Sequence, residues 1–303
     1  MADPRAILSR NTDTVHCPLC KSETKIVGQK RGRLIPCDYM IRRCCSCRFA
    51  FVANPSTDFE RIYDEAYYRG LGADPRVDYL FEMEHPMLTI RQFEWEGIRD
   101  IIGRLLPLNS RTRWLDLGCG NGGLVRYCRD KIGCDAWGFE EGWIAERAAQ
   151  RGTPMLTRGQ LAGHYGSFDV ITAIEVIEHT TTPLEFLAEA KRLLKPRGLF
   201  FLTTGNAAPF KRNITGWSYV IPDIHVSFFE PLTLQRALEQ AGFHCEYPGF
   251  GPGWEKVLKF KLLKNLGFRQ VAPWMRFMPW KILSRLCDER FKLTAHPVGW
   301  EKV

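Results

Sequence analysis

The sequence predicts an α/β protein centred on a doubly wound, Rossmann-like parallel sheet, with a small metal-binding module before it and a helical segment after it. Three observations support this prediction. An apolar strand runs into a glycine-rich turn at residues 114–123. Apolar strands then alternate with amphipathic helices as far as about residue 250, which is the pattern of a parallel sheet covered by helices. Two Cys-x-x-Cys pairs lie upstream of this pattern.

The composition is that of a globular protein from a reducing compartment. The 303 residues, 45% apolar and 25% charged, are enough for one large or two modest domains with a real core. Residues 1–10 contain no apolar stretch typical of a signal peptide, and no apolar run is long enough to span a bilayer. Eleven cysteines without a secretion signal favour metal binding over disulfides. We therefore expect a cytoplasmic protein.

The positive charge is concentrated in the C-terminal tail. The formal net charge is +8, and residues 256–303 hold eleven Lys or Arg against three Asp or Glu, which accounts for the whole excess. A nucleic-acid partner would have only this tail as electrostatic support.

The first part of the chain, residues 1–53, is predicted to be a zinc ribbon. Its two Cys-x-x-Cys pairs are separated by 23 residues, and four thiolates in two such knuckles can surround one Zn²⁺ tetrahedrally. The metal would stabilise a module that has few apolar residues of its own. The predicted ligands are Cys17, Cys20, Cys44 and Cys47.

Two features of this ribbon depart from the usual pattern. Lys21 and Arg48 stand where glycine normally follows the second cysteine of a knuckle, and Cys37 and Cys45 offer alternative ligands. The apolar run at residues 49–52 is typical of a strand that packs on another apolar surface. We therefore favour a structural role for the metal.

Residues 54–85 are predicted to be a helical linker. Tyr67 and Tyr68 either reach the ligand pocket of the following fold or pack against its surface. Pro86, a favourable first-turn residue, opens a long helix that leads to the first core strand. The core fold is expected over residues 86–250.

The glycine-rich turn after the first core strand fits two kinds of ligand. Gly118, Gly120 and Gly123 match the dinucleotide pattern Gly-x-Gly-x-x-Gly, which is a weak indication by itself. Asp116 precedes the first glycine by two residues; its carboxylate would repel a pyrophosphate but suits the ammonium group of S-adenosylmethionine (SAM). The predicted cofactor-binding residues of this turn are Asp116, Gly118, Gly120, Asn121 and Gly122.

The next two strands supply candidates for binding the nucleoside. Glu140 ends the second strand, twenty residues after Gly120, where an acid accepts hydrogen bonds from ribose hydroxyls in nucleotide-binding α/β folds. NAD and SAM both carry this ribose, so Glu140 does not separate them. The third strand is predicted at residues 152–157, and Gln160 and Leu161 follow it as candidates for the adenine. The side-chain carbonyl of Gln160 can accept a hydrogen bond from the adenine amino group.

The fourth strand and its flanks distinguish between the two cofactors. After this strand the chain reads Glu-Val-Ile-Glu-His at residues 175–179, then a helix opened by Pro183, then Leu-Lys-Pro-Arg-Gly at residues 194–198 and another strand. This series resembles the class I SAM-dependent methyltransferases that act on small molecules, including the ubiquinone-biosynthesis type. Residues 43–70 are also similar to the start of bacterial methyltransferases that carry an N-terminal zinc ribbon.

The resemblance covers roughly residues 43–250 and implies a seven-stranded methyltransferase sheet with SAM across the carboxyl ends of its strands. It implies that Glu175 is among the cofactor-binding residues. It also allows a divalent ion at Glu175, Glu178 and His179, although ligands on a single turn are weak evidence for a metal site.

Two histidines are candidates for catalysis, because an oxygen acceptor needs a base to remove its proton. His225 follows an irregular loop at residues 205–221 and is the stronger candidate for base or acceptor ligand. His179 is either a second base or a residue that caps a helix and holds its own loop. Asp223 is close enough in sequence to orient the His225 imidazole. The predicted catalytic residues are therefore His225, His179 and Asp223.

Together these features predict a SAM-dependent methyltransferase for a small-molecule or glycan acceptor, with O-methylation favoured. An RNA methyltransferase is an alternative supported by the zinc ribbon and the basic tail. No Asn-Pro-Pro-Tyr or Asn-Pro-Pro-Phe motif follows the fourth strand, which disfavours adenine methylation, so we do not expect a nucleic-acid partner. A non-catalytic SAM- or partner-binding protein is the second alternative. The acceptor atom and the oligomeric state stay open.

The tail, residues 251–303, is predicted to insert basic, aromatic helices at the ligand face before a final strand at residues 291–295. Lysines and arginines accompany an apolar stripe within residues 254–289. This segment is either a lid packed on the core or a surface that contacts an anionic membrane or a phosphate-bearing acceptor.

Overall fold

The computed structural model describes residues 15–73, 78–291 and 298–300. The segment in which no signal peptide is expected, residues 1–10, lies outside these ranges. None of the helices in the described ranges combines the length and the apolar character needed to cross a lipid bilayer.

The N-terminal part forms an antiparallel hairpin followed by a short strand. Its strands are β1 (Thr24–Arg31), β2 (Asp38–Cys44) and β3 (Ala50–Val52). Along β2, Tyr39 and Ile41 are buried while Asp38 and Met40 are exposed, which is the period-two pattern of a strand with one face on a core.

Four helices lead from this hairpin to the main sheet: α1 (Phe59–Ile62), α2 (Glu65–Tyr68), α3 (Tyr79–Glu84) and α4 (Arg91–Leu105). The first three each begin at an aspartate whose carboxylate accepts a backbone N–H from the first turn. The long helix begins at Arg91 rather than at Pro86, because Thr89 first forms a strand-like bridge with Gln270 of the tail.

The core alternates strands and helices as the sequence predicts. Its elements are β4 (Arg113–Leu117), α5 (Gly123–Ile132), β5 (Asp135–Phe139), α6 (Trp143–Gln150), β6 (Met155–Leu156), α7 (Arg158–Leu161), β7 (Phe168–Ile174), α8 (Pro183–Leu193), β8 (Leu194–Thr203), β9 (Ser227–Phe228), α9 (Pro231–Gln240) and β10 (His244–Glu246). The tail adds α10 (Trp254–Asn265), α11 (Trp280–Phe291) and β11 (Val298–Trp300).

The main sheet has seven strands in the order β10-β11-β8-β7-β4-β5-β6. The five strands β6, β5, β4, β7 and β8 are parallel, and β11 runs antiparallel between β8 and β10. The strand order reverses between β4 and β7, so the carboxyl ends of these two strands border the crevice in which such sheets bind ligands. The prediction of a Rossmann-like sheet of seven strands is confirmed.

The predicted position of the last strand is wrong. We expected it at residues 291–295, but Phe291 ends α11 and the strand is Val298–Trp300. The helical period of the basic segment continues further along the chain than the sequence suggests. Residues 292–295 lie outside the described ranges.

The N-terminal hairpin is joined to the core through a shared sheet and a shared apolar cluster. The small sheet has the order β1-β2-β3-β9, because β9 pairs antiparallel with β3. The rings of Phe49 and Phe229 lie 4.9 Å apart, and the hydroxyl of Thr233 donates to the carbonyl of Cys47 over 2.8 Å. The small sheet therefore crosses the predicted module boundary at residue 53, because its fourth strand comes from the core.

The tail is fastened to the core by α10, which lies along α4. The indole of Trp254 is fully buried, and its ring lies 6.1 Å from that of Phe201 on β8. A Cβ on Gly97 would stand 2.5 Å from the carbonyl oxygen of Gly253, so only glycine permits the two helices to approach this closely. The ammonium of Lys256 pairs with Asp100 over 2.8 Å.

Candidate functional site

The glycine turn between β4 and α5 leaves a cradle that side chains would fill. Gly118, Gly120 and Gly122 have φ angles of +74°, +52° and +71°, which L-residues with a Cβ rarely adopt. A Cβ on Gly118 would lie 2.5 Å from Cγ2 of Val176, and one on Gly120 would lie 3.0 Å from the ring of Tyr79. The turn therefore presents bare backbone to a ligand at the carboxyl ends of β4 and β7.

Asp116 lies buried at the foot of this turn. Its carboxylate accepts a hydrogen bond of 2.6 Å from the hydroxyl of Thr172, which in turn accepts one of 3.0 Å from the indole N–H of Trp114. Burial raises the pKa of Asp116 to about 7, although the Thr172 hydrogen bond opposes this change. A cation placed beside this carboxylate would favour its ionised form.

Glu140, at the end of β5, directs its carboxylate at the glycine turn. One oxygen accepts a hydrogen bond of 2.9 Å from the N–H of Gly120, and the other accepts one of 2.9 Å from the N–H of Glu141. Burial raises the pKa of Glu140, and these two backbone N–H groups oppose that increase. The carboxylate is thus fixed next to the turn, at the position predicted for a ribose contact.

The other predicted nucleoside and turn residues are engaged in local contacts. The side-chain carbonyl of Gln160 accepts hydrogen bonds from the N–H and the hydroxyl of Thr157, at 2.8 and 3.0 Å, and so caps α7. Leu161 is buried next to it. The Asn121 amide donates to the carbonyl of Tyr79 over 2.8 Å, while its oxygen accepts the N–H of Gly123 over 2.9 Å. Asn121 therefore ties α3 to the turn.

Aromatic side chains from the linker cover the same region. Tyr68 stacks on Trp143 at 5.9 Å, and Tyr67 stacks on Tyr79 at 6.5 Å. Both predicted tyrosines are buried. Burial, together with the nearby Glu140 carboxylate, keeps the pKa of Tyr68 well above its usual value. The linker thus contributes an apolar, uncharged cover over the glycine turn.

Glu175 stands at the end of β7 in a strained backbone conformation. Its φ is +56°, which costs a non-glycine residue roughly 1–2 kcal/mol. Its carboxylate accepts hydrogen bonds of 2.9 Å each from the hydroxyls of Thr203 and Tyr219 and from the ammonium of Lys261. These three groups, from β8, the irregular loop and α10, hold the side chain in place.

Glu178 is buried beneath Glu175. Its carboxylate accepts a 2.7 Å hydrogen bond from the hydroxyl of Thr204 and another from the hydroxyl of Tyr219. Burial, with the repulsion of the Glu175 carboxylate as the next cause, raises the pKa of Glu178 to about 8. One tyrosine hydroxyl therefore bridges both carboxylates of the Glu-Val-Ile-Glu-His run.

The two predicted histidines meet beside this carboxylate pair. The imidazole rings of His179 and His225 lie 4.9 Å apart. Nδ1 of His225 is 2.5 Å from the carbonyl of Tyr219; since a carbonyl only accepts, Nδ1 donates the proton of this hydrogen bond. Nδ1 of His179 lies 3.0 Å from the hydroxyl of Tyr63.

Glu178, His179 and His225 also form a possible set of metal ligands. One ligand atom from each lies within 4.8 Å of the others. The structure thus replaces Glu175, which the sequence suggested as the third ligand, with His225. The same trio can bind a cation or act on a proton, because a histidine side chain serves in both roles.

The role suggested for Asp223 is corrected by the structure. Its carboxylate accepts the backbone N–H groups of Arg33, Leu34 and Ile35 at 2.7, 3.3 and 3.0 Å. The imidazole of His225 is oriented by Tyr219 instead. Asp223 therefore anchors the β1–β2 loop of the N-terminal hairpin over the site, because three backbone donors from one loop satisfy its buried charge.

Three side chains of the site were not predicted from the sequence: Tyr63, Tyr219 and Lys261. Tyr219 lies in the irregular loop at residues 205–221, and Tyr63 lies in the aromatic linker. The sequence indicated that both regions lie near the site but did not indicate which of their residues contribute to it. Lys261 is one of several lysines on α10, and nothing in its local sequence distinguishes it from the others.

The four predicted zinc ligands form one cluster at the edge of the N-terminal hairpin. The sulfur atoms of Cys17 and Cys47 are 3.6 Å apart and those of Cys20 and Cys44 are 3.3 Å apart, and all four lie within 4.8 Å of one another. Tetrahedral zinc with Zn–S bonds of about 2.3 Å separates its sulfurs by ~3.8 Å. The cluster is therefore consistent with a zinc ribbon.

Two further observations fit thiolate ligands in this cluster. A hydrogen bond to the Cys47 thiol lowers the pKa of Cys17 to about 5, and the thiolate is the form that binds metal. Lys21 and Arg48 have φ angles of +60° and +68°. They keep the left-handed backbone of a zinc knuckle at the positions where glycine is usual, so their departure from the pattern leaves the turn unchanged.

Ubiquinone biosynthesis O-methyltransferases are among the curated relatives. The one from Thiobacillus denitrificans is 28% identical over 153 residues, which cover 44% of this chain and 64% of that protein. The one from Cereibacter sphaeroides is 34% identical over 156 residues, which cover 48% of this chain and 59% of that protein. The chain thus matches less than two thirds of the length of these two relatives.

Solved methyltransferase structures are also similar to this chain, at lower identity. Phosphoethanolamine N-methyltransferase 2 from Haemonchus contortus, in complex with SAM, has a TM-score of 0.49 and 15% identity, and the match covers 84% of this chain and 62% of that one. A SAM-dependent methyltransferase from Archaeoglobus fulgidus has a TM-score of 0.43 and 16% identity, with 74% and 99% covered.

The profile of one protein family, described as a methyltransferase domain, matches residues 89–247, which is more than half of the chain. The matched range contains the parallel strands, the glycine turn and the acid-and-histidine cluster at their carboxyl ends. The chain therefore belongs to the methyltransferase-domain family, in its class I SAM-dependent group.

Proposed function

We propose that this protein transfers the methyl group of SAM to a hydroxyl oxygen of a small-molecule or sugar-containing acceptor. The observation that carries the proposal is the pair of His225, which is buried, and His179, which is partly buried; their rings lie 4.9 Å apart near the carboxyl ends of the parallel strands. A hydroxyl needs its proton removed as the oxygen attacks, and a positioned imidazole is the side chain that most often does this.

The residues around the glycine turn fit SAM. We propose that Glu140 accepts the ribose hydroxyls, that Asp116 faces the ammonium group, and that Gly118, Gly120, Asn121 and Gly122 line the methionine and ribose. Leu161 and the backbone near Gln160 would contact the adenine, while Glu175 would border the methyl side. When bound, SAM supplies a methyl group on a sulfonium, which is already a strong electrophile.

The chain's own contribution is then to place the acceptor and to take its proton. Because Nδ1 of His225 donates to the Tyr219 carbonyl, Nε2 is the nitrogen that would receive the acceptor proton. His179 is held by the hydroxyl of Tyr63 and would keep the two imidazole rings in their relative positions. The aromatic cover from the linker excludes water from the transfer, and alignment by such positioned groups is a large part of catalysis.

The relatives support an oxygen as the acceptor atom, because the proteins with up to 34% identity are named O-methyltransferases. A sugar hydroxyl and a phenolic hydroxyl both lose a proton when the oxygen is methylated, so both stay within the proposal. We also propose that the Cys17, Cys20, Cys44 and Cys47 cluster binds one structural Zn²⁺.

Methyl transfer can be tested with SAM labelled in its methyl group and three acceptor sets: phenols, nucleotide sugars with glycans, and RNA. We expect a labelled product from one of the first two sets. The variant His225→Gln should lower turnover by about 10²–10⁴-fold and leave SAM affinity unchanged. The matched control is His244→Gln, because His244 is an exposed histidine on β10.

Three outcomes would contradict this proposal. Labelled RNA with a steep dependence on salt would identify a nucleic-acid methyltransferase instead. Full turnover by His225→Gln with a hydroxyl acceptor would remove the base assigned to His225. A protein that binds SAM and transfers no methyl group to any of the three sets would be a binding protein.

SAM affinity should depend on pH through Asp116. Its raised pKa of about 7 means that the free protein holds this carboxyl largely protonated at lower pH, whereas the ammonium group of SAM requires the ionised form. Affinity should therefore increase by up to about tenfold per pH unit from about pH 5 towards pH 7 and then level off. Calorimetry across this range measures the slope, and Asp116→Asn should abolish it.

A matched ligand control isolates the ammonium group. S-Adenosylhomocysteine carries the same ammonium group and should show the same slope, whereas 5′-methylthioadenosine lacks it and should bind with no slope. An equal slope for 5′-methylthioadenosine would show that Asp116 does not face the ammonium group.

A further inference from the structure

The tail exposes an apolar strip that the core does not cover. Its exposed side chains include Phe277, Leu266 and Ile282, with 73%, 70% and 62% of their surface accessible. The strip, as we define it, consists of Met87, Leu266, Trp274, Phe277, Ile282 and Leu286. Scattered exposed apolar residues are ordinary, but a group of large ones in one region indicates a surface that contacts something.

Hydrogen bonds hold the loop that carries Met87 against the tail. The N–H of Val271 donates to the carbonyl of Leu88 over 2.8 Å, and the N–H of Ile90 donates to the carbonyl of Arg269 over 3.1 Å. These bonds hold the loop that carries Met87 against the segment that leads to Trp274. The strip therefore draws on two regions far apart in sequence.

A separate set of apolar side chains already fixes the tail to the core. Val257, Phe260 and Leu263 of α10 are buried, and so is Met275. On α11 the buried hydroxyl of Ser284 donates to the carbonyl of Glu255 over 3.1 Å, which turns Ile282 and Leu286 outward. The residues of the strip are thus not needed to pack the tail on the core. They face outward because other side chains of the same helices are buried.

Basic side chains accompany the strip. Residues 254–289 contain eight Lys or Arg against three Asp or Glu. The guanidinium of Arg276 lies over the exposed ring of Phe277 at 4.6 Å. Lys281 and Arg285 are exposed and adjoin Ile282 and Leu286 on α11, although Arg285 also pairs with Glu289 over 3.2 Å.

We propose that this strip docks on an anionic lipid surface, with Phe277, Ile282 and Leu286 in the interface and Arg276 and Lys281 at the phosphate groups. Large apolar side chains beside cations are the composition of surfaces that lie in the headgroup region of a bilayer. A second copy of this chain is a poorer occupant, because the same excess of positive charge would face itself. The proposal does not depend on which acceptor is methylated.

Flotation of the zinc-loaded protein with vesicles tests this proposal. We expect binding to vesicles of phosphatidylcholine mixed with phosphatidylglycerol, little binding to phosphatidylcholine alone, and weakening by salt. Phe277→Ser combined with Ile282→Ser should weaken binding by roughly tenfold or more. The matched control is Leu232→Ser, because Leu232 on α9 is also 69% exposed but lies outside the strip.

Charge reversal separates the two components of the interaction. Arg276→Glu with Lys281→Glu should remove the preference for phosphatidylglycerol. The proposal is overturned if the wild-type protein stays in solution with anionic vesicles, or if Phe277→Ser with Ile282→Ser floats as well as the wild type. A wild-type dimer in solution that the same double variant converts to monomer would assign the strip to a second copy of the chain and would also overturn it.

Discussion

Cys44→Ser should release zinc and lower the melting temperature of the chain by roughly 10 °C or more. Cys44 is buried, and its sulfur accepts the N–H groups of Ser46 and Cys47 over 3.3 Å each. Structural zinc contributes about 10–16 kcal/mol to folding in isolated zinc-finger peptides. Even a few kcal/mol lost from a chain of this size corresponds to a decrease of this order. Metal analysis and a thermal melt measure both effects.

Neighbouring cysteines supply the controls for this experiment. Cys45 is exposed and next in sequence to Cys44, and Cys37 is the other alternative ligand. Cys45→Ser and Cys37→Ser should each keep one zinc per chain and the wild-type melting temperature. Loss of zinc from Cys45→Ser, with zinc retained by Cys44→Ser, would show that the ligand set proposed here is incorrect.

Loss of zinc should also affect methyl transfer more than SAM binding. The hairpin adds β3 to β9, two residues after His225, and its loop is held by Asp223. Among the residues that the structure describes, the glycine turn instead contacts the linker residue Tyr79 and Val176, and neither β3 nor β9. Chelation should therefore reduce turnover by at least about tenfold while the affinity for SAM changes little.

Gly118→Val should weaken the affinity for SAM by at least about a hundredfold. The backbone at Gly118 has a φ of +74°, and a Cβ there would stand 2.5 Å from Cγ2 of Val176. A branched side chain would therefore strain the turn and collide with Val176, which would displace the backbone of the proposed SAM site. Calorimetric titration with SAM measures the loss.

Gly133→Val is the matched control for Gly118→Val. Gly133 has a similar φ of +76° at the end of α5, but a Cβ there would meet nothing within 4 Å. The two variants thus share the backbone strain, and only Gly118→Val obstructs the cradle. We expect the two variants to have similar melting temperatures and only Gly133→Val to retain SAM binding, which would assign the loss of affinity to the obstruction at Gly118. An equal loss of SAM binding in both variants would contradict this assignment.

Much of the fold could be predicted because its signals are local. The left-handed backbone of the turn demands glycine at Gly118, Gly120 and Gly122, so the sequence alone identifies the turn. Buried parallel strands read as continuous apolar runs, and the fourth core strand, Phe168–Ile174, has this character. The paired Cys-x-x-Cys spacing identified four sulfurs that the structure brings together. The last strand was placed too early: helix α11 still includes Phe291, the first residue expected to form it, and the strand is Val298–Trp300.

The arrangement of the candidate site depended on contacts between distant parts of the chain. Asp223 bonds to Arg33 across 190 residues, and Lys261 bonds to Glu175 across 86 residues. Neither partner can be recognised from its neighbours in sequence, since a surface lysine and a buried one look alike until the helices pack. Tyr219, whose hydroxyl bridges Glu175 and Glu178, is an ordinary loop tyrosine in the sequence.

The sequence by itself therefore determined the class of fold, the glycine turn proposed to bind SAM and the cysteine cluster, because each depends on backbone conformation or short spacing. Only the tertiary structure decided that Tyr219 orients His225, that Asp223 anchors the N-terminal hairpin, and that the basic tail leaves an apolar strip exposed. Side-chain partners and exposed faces follow from how the strands and helices are ordered in space, and local sequence patterns carry no information about that order.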